Sequence, residues 1–348
     1  MVSKTCATPG MTTWVAPAAQ RPRLWHPGQY PPMSPSPHLL IAYADSPAPE
    51  CRQASQDLAL PRLERLLGRL APADGDRGSE TDFSPPHERA LARHLGLPAG
   101  PHGTTPWAAW QQSQAPAGTQ GQAWAFVSPC QWQVGMDQCV LSDPAQLRLD
   151  EAQSRALLAL LAPWFEQDGI TLAYDQPTRW LARGALFADL ATASLDRVLQ
   201  RDVRPWLADS AAARTLHRLH SEVQMLLYTH PFNDARAAQG LSPVNAFWVH
   251  GAGALPEPPA ATAAPEMPTT LRDAALRGDW RAWSAAWKAL DAGPVARLAA
   301  HVAQGGAARL TLCGERSAVS WHTAPRGLGR RIQSLLRPQR FASVREQL

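Results

Sequence analysis

No stretch of about 18 apolar residues occurs anywhere in this chain of 348 residues, which excludes a bilayer-spanning helix. Cysteine is scarce: Cys6, Cys51, Cys130, Cys139 and Cys313 are odd in number, irregularly spaced and without a C-x-x-C pair. That argues against a zinc or dithiol site and for free thiols in a reducing cytoplasm, the expected location. Cys130 and Cys139 could approach across a hairpin, but no matched ligands accompany them, and no metal is assigned. Lysine is nearly absent. The 33 Lys+Arg are almost all arginine, scattered among 29 Asp+Glu for a net charge of only +4, with no basic stripe of the kind nucleic acid requires. Neither nucleic acid nor a membrane is an expected partner. G-x-S-x-G is missing, as is a Walker-type loop, and the Gly-x-Gly at 251–253 lacks the third glycine of a dinucleotide fingerprint. Residues 1–36 are proline-studded and lack the apolar core of a secretory signal, so they are expected to be disordered; Met33 offers an alternative start.

What is present is an interleaving of helical and extended patterns. His38–Ala44 reads as a buried strand, and Leu58, Leu63, Leu66, Leu67 and Leu70 recur at helical spacing. A second helix is expected from a capping Ser84 to Gly96, with a polar loop at 71–83 between the two. Strands at 123–127 and 139–141 are expected to form a hairpin about Gly135. Asp150, with Gln153 in capping-box position, opens a helix that Gly169 stops. Strands at 170–174 and 179–183 and a helix at 194–199 follow. The stripe Leu216, Leu219, Val223, Leu226 and Leu227 marks a further helix, with His220 and Glu222 at its edges. Residues 254–268 read as a low-complexity linker, and 271–290 as one helix whose Trp280, Trp283 and Trp287 form a packing stripe. Strands at 309–313 and 318–321 and a basic tail over 326–340 complete the chain. The pattern predicts an α/β fold, a mixed sheet flanked by helices.

The residues offer one site-like constellation. Asn233, Arg236 and Asn245 are directional binders of oxygen-rich ligands, and Gly251 and Gly253 permit close backbone approach. Glu222, Gln224 and His230 stand beside them, either in the pocket or as caps and loop ties. Asp137 fits a ligand hydroxyl, a pair with Arg179, or a turn bonding its own backbone. Arg179 suits an anion or a surface ion pair. His217 and His220 supply half of a metal-ligand spacing that nothing completes.

Several stretches together resemble the regulatory proteins of the RpfE type, a phosphoglycerate-mutase-like family. They are His38-Leu-Leu-Ile, Leu60–Leu67, Ser84–Ala92, Pro106–Ala109, Arg179–Ala182, Thr192–Val198, Glu222–Arg236, Pro243–Trp248 and Leu310–Glu315. Where that family tends to read Pro-Val-His, this chain has Pro129-Cys130-Gln131, and Gln131 cannot transfer a proton. A remoter resemblance, carried by the Asn/Arg stretch with its Val-Asn-x-x-Trp strand and by the first β-α unit, is to cofactor-independent phosphoglycerate mutases of the alkaline-phosphatase superfamily. It implies a degenerate alkaline-phosphatase/phosphoglycerate-mutase-like fold. Those enzymes use two metal ions, whereas here only Asp45 stands near the first strand, and a lone aspartate cannot hold two divalent ions.

The expected organisation is an extension over 1–36, a core with the ligand pocket over 37–253, a linker over 254–268, a helix and strands completing the core over 269–325, and a tail over 326–348. The leading expectation is a non-catalytic cytoplasmic regulatory or ligand-sensing protein that binds a small phosphorylated or anionic metabolite through Asp137, Arg179, Glu222, Gln224, His230, Asn233, Arg236 and Asn245. The alternatives are a manganese- or zinc-dependent phosphomutase or phosphatase drawing on Asp45, Asp137, His87, His220 and His230, and a protein–protein adaptor using exposed Trp107 and Trp110.

Overall fold

The first strand, β1 (His38–Ile41), is buried along its whole length and pairs in parallel with β10 (Arg309–Cys313). The computed structural model describes residues 36–73, 75–79, 81–115, 121–324 and 340–348, so the expected extension, apart from residue 36, and nearly all of the basic tail lie outside the described residues. β10 pairs antiparallel with β11 (Ser317–His322), and β11 with the two short strands β2 (Ala71–Pro72) and β3 (Asp76–Arg77). The segment expected to be a plain loop at 71–83 thus supplies the sheet's far edge. On the other edge, Glu266 of the expected linker exchanges backbone hydrogen bonds with Leu40 and His38, at 2.9 and 2.8 Å.

A second, all-antiparallel sheet runs β7 (Thr171–Gln176), β8 (Arg179–Arg183), β4 (Ala123–Cys130), β9 (Ala246–Ala254). The fold is therefore mixed α/β, but its strands form two principal sheets rather than one. The expected hairpin also differs. Cys139–Leu141 (β6) pairs with Trp132–Val134 (β5) in a separate ribbon, because β4 is already flanked by β8 and β9.

Strand periodicity explains why β4 is buried throughout. Ala123, Ala125 and Val127 point to a core shared with helices α5 (Glu151–Glu166) and α7 (Ala211–Tyr228), while Trp124 and Phe126 face α3 (Pro86–Leu95) and α4 (Trp107–Ser113). The first sheet is covered by α2 (Pro61–Leu67), α10 (Trp280–Leu290), α11 (Ala296–Ala303) and α12 (Phe341–Arg345). The expected helix over 271–290 is broken into α9 (Thr270–Leu276) and α10, because Gly278 turns left-handed (φ 66°) and Asp279 caps Ala282 at 2.9 Å. Trp283 and Trp287 are fully buried, as a packing stripe should be, and their indole N–H groups donate to the carbonyls of Tyr43 and Ala44 at 2.9 and 3.3 Å.

Helix α3 lies between the two sheets. Ala90 and Leu91 pack toward Leu40, Cys313 and Ala318 of the first, and Ala92 and Leu95 toward Trp124 and Phe126 of the second. Pro86 at its first position suits a helix start, and Gly96 (φ 73°) ends it in the left-handed conformation. Ser84 is not its cap. Instead the Ser84 carbonyl accepts from Arg89 and Arg197, at 2.6 and 3.3 Å, and the turn before the helix is locked by guanidinium groups.

Candidate functional site

Because α3 starts where the sheets meet, its first turn delivers Glu88 to the floor of a cleft and sets His87 against Asp196, another residue of that floor. The short helix α6 (Leu195–Val198) supplies the opposing groups. Ser194 caps α6 and donates to Glu88 Oε1 at 2.5 Å, and Asp196 Oδ2 lies 3.1 Å from His87 Nε2. Arg272 of α9 binds both oxygens of Asp196, with Nε 2.6 Å from Oδ2 and a second contact to Oδ1, and reaches Asp273 at 2.8 Å. Tyr43, just beyond β1, donates its hydroxyl to the Asp196 carbonyl at 3.2 Å. Its φ of 53° is uncommon for a bulky residue, and the Trp283 contact on its carbonyl helps to hold that geometry.

The cleft encloses about 460 Å³. Above the floor, Ser128 of β4 and His250 of β9 face each other with Oγ and Nε2 3.2 Å apart. Arg179, Arg272 and Arg277 bring three guanidinium groups to the lining, with Gln176, Thr178 and Gln200 as neutral polar neighbours. Arg179 is held by Asp175 (2.8 Å) and Gln111 (3.2 Å) and stacks over Phe126, whereas Arg277 is exposed and has no carboxylate partner among the described residues.

Electrostatics divide the floor. Burial alone would raise the pKa of Asp196, but Arg272 and the His87 hydrogen bond outweigh it and hold the carboxyl well below the usual range. Glu88 goes the other way: burial and then the Asp196 charge raise its pKa, with His87 and Ser194 opposing. His250 is driven down to about 3, first by burial and then by Arg179, so its imidazole is neutral at physiological pH and only weakly basic. A base so far below neutrality is a poor activator of Ser128. The arrangement is better suited to hydrogen bonding than to proton transfer. Guanidinium groups offer forked donors to an anion, and the Ser128, Ser194, Glu88 and His250 heteroatoms offer partners to hydroxyl groups.

His87, Glu88 and Asp196 each offer one ligand atom, all within 4.8 Å of one another, and form the one such group of metal-capable side chains among the described residues. The two ions that the sequence resemblance implies do not fit this set. Three donors cannot serve two ions, and both oxygens of Asp196 are already bound to a guanidinium. Asp45, the first-strand aspartate, is paired with Arg345 at 2.7 Å instead.

Of the eight expected site residues, only Arg179 lines this cleft. Arg236 is fully buried and donates to the carbonyls of Leu147 (2.6 Å) and Ser242 (2.8 Å) and to Gln153 Oε1 (3.1 Å). Asn233 bridges Leu227 and Val244, and Asn245 forms two bonds with the backbone of Trp132 at 2.7 and 2.9 Å. His230 caps α8 (Pro231–Ala238) through the Phe232 N–H, and Glu222 pairs with Arg218 at 2.9 Å. Gln224 is exposed on α7. Asp137 sits in the exposed turn of the β5–β6 ribbon, where its carbonyl accepts from Arg204, while Arg179 takes Asp175 as its partner. The glycines of β9 make room for protein: a Cβ on Gly253 would lie 2.7 Å from Pro106, and one on Gly251 3.1 Å from Trp107 and Phe126. Trp107 and Trp110 pack half-buried against β4 and α3 residues rather than standing free.

The residues that do form the cleft floor were within reach of the sequence. Ser84–Ala92 and Thr192–Val198 both carried the family resemblance, yet the contact between Glu88 and Ser194 spans 106 positions, and nothing local announces it.

The sequence matches no protein-family model and no curated protein. Among solved structures, the chain is similar to the cofactor-independent phosphoglycerate mutase from Thermoplasma acidophilum DSM 1728, at 13% identity and a TM-score of 0.34, over 82% of this chain and 89% of that one. It is also similar to the PH0037 protein from Pyrococcus horikoshii, at 10% identity and a TM-score of 0.36, over 83% and 87%. Both are remote likenesses of fold. No helix among the described residues is long and apolar enough to cross a membrane.

Proposed function

We propose that this protein binds a small hydroxylated anion, of which a phosphorylated three-carbon acid or phosphosugar is the type, in the cleft between its second sheet and the helices α3, α6 and α9, and that it acts as a ligand sensor rather than by turnover. The observation that carries the reading is the lining itself: about 460 Å³ with Arg179, Arg272 and Arg277 on the wall beside the carboxyl groups of Asp143 and Asp273, and with Ser194, Glu88 and Asp196 on the floor. Arg272 is balanced by Asp196 and Asp273, and Arg179 by Asp175. Arg277 is therefore the guanidinium left to meet an incoming anion, with Arg179 beside the neutral His250 as a second contact. A charge-assisted hydrogen bond of this kind contributes about 1.5–3 kcal/mol, enough to select a phosphate over a neutral analogue by tenfold or more.

The sensing role is supported by how the reactive-looking groups are engaged. Asp196 is held by Arg272 and His87, and His250 is too weakly basic to activate Ser128.

The test is thermal stability of the full chain with 2- and 3-phosphoglycerate, a series of phosphosugars and their unphosphorylated counterparts, in EDTA, because a ligand that binds only the folded state raises apparent stability. A rise with phosphorylated compounds alone, reduced in Arg277→Ala, is expected. No rise with any of them, or a rise indifferent to Arg277 and Arg179, would remove the proposal.

A further inference from the structure

We propose that the His87–Glu88–Asp196 cluster is a single divalent-cation site whose resident cation is the Arg272 guanidinium, so that the native chain excludes the metal and loss of Arg272 admits it. The inference holds whatever the cleft binds.

Three features lead to it. The ligand atoms of the three residues lie within 4.8 Å of one another, a spacing that one ion could bridge, and a nitrogen with two carboxylates is a set suited to Zn²⁺ or Mn²⁺. Arg272 comes from a distant part of the chain, 76 positions beyond Asp196, and closes on both oxygens of that residue, the acceptors an ion would need. His87 Nδ1 is buried without a hydrogen-bond partner among the described residues, so the side chain's polar contact there is the one Nε2 makes with Asp196, while its ring packs against Tyr43.

The experiment measures melting temperature of the full chain as MnCl₂ or ZnCl₂ is added, for the native protein, Arg272→Met, and Arg272→Met with His87→Ala. The native protein is expected to show no metal-dependent rise. Arg272→Met is expected to melt several degrees lower in EDTA and to recover most of that loss in about 1 mM metal. The added His87→Ala should abolish the recovery. If Arg272→Met cannot be purified folded, Arg272→Lys replaces it, since a point-charge ammonium cannot span both carboxylate oxygens and should leave a partial metal response. A native protein stabilised by metal through His87 would overturn the proposal, because the guanidinium would then not be the occupant. Variants at Arg272 that fold yet remain indifferent to metal would overturn it equally.

Discussion

Arg272 grips Asp196 through both carboxylate oxygens while His87 holds the same carboxylate from 3.1 Å, so a single buried acid joins α3, α6 and α9. Removing one member of such a set leaves an unpaired charge in a buried place, which commonly costs about 3–5 kcal/mol. Asp196→Asn is therefore expected to be strongly destabilising in urea denaturation, whereas Asp273→Ala, at the more exposed partner, is expected to cost less than about 1 kcal/mol.

Arg236 has a structural role. Its guanidinium is the donor for two buried carbonyls and the Gln153 side chain, so Arg236→Ala should lower stability by about 2–4 kcal/mol through acceptors left unpaired. Ligand affinity in the folded fraction should be unchanged. A variant that keeps native stability but loses binding would return Arg236 to a ligand site.

Glu88 sets a testable pH dependence. Its folded pKa lies above the ordinary 4.5, so the folded state binds the proton more tightly than the unfolded one, and stability falls as pH rises through that window. Glu88→Gln removes the charge but keeps an acceptor for Ser194. The variant is expected to be more stable than the native protein at pH 8 and to lose that advantage near pH 4. An advantage that is equal at both pH values would contradict the assignment.

His38 and His250 act in the opposite sense. Both are held to about 3, against 6.5 in the unfolded chain, His38 by burial and His94, and His250 by burial and Arg179. Below pH 6.5 the unfolded state takes up protons that these sites refuse, so each contributes a loss of up to about 1.4 kcal/mol per pH unit as the solution is acidified. Replacing His250 by Gln is expected to flatten the stability–pH curve between pH 6 and 4, with little change above pH 7.

Much of the scaffold was legible because its signals are local. The alternation through Ala123–Val127, the Asp150 cap, the α7 leucine stripe and the glycine stop at Gly96 each depend on neighbours a few positions away. Pairing was not legible: β6 finds β5 rather than β4, and short strands at 71–77 join β11, because strand partners are chosen by competition across the whole chain. The cleft failed to show for a related reason. Asn233, Arg236 and Asn245 carry the donors and acceptors a ligand would want, but backbone carbonyls and amides want the same groups, and only burial decides which takes them. Conversely, His87, Glu88, Ser194, Asp196 and Arg272 lie in three separate segments, and become a cluster only when α3 is wedged between the sheets.

The most direct measurement of the central claim is calorimetric titration of 3-phosphoglycerate, and separately of glycerate, into the full chain in EDTA, repeated with Arg277→Ala. Saturable 1:1 binding of the phosphorylated compound, at least tenfold weaker binding of glycerate, and a roughly tenfold loss for the phosphorylated compound in the variant are expected. Equal affinity for both compounds, or binding that survives Arg277→Ala and Arg179→Ala together, would contradict an anion site in this cleft.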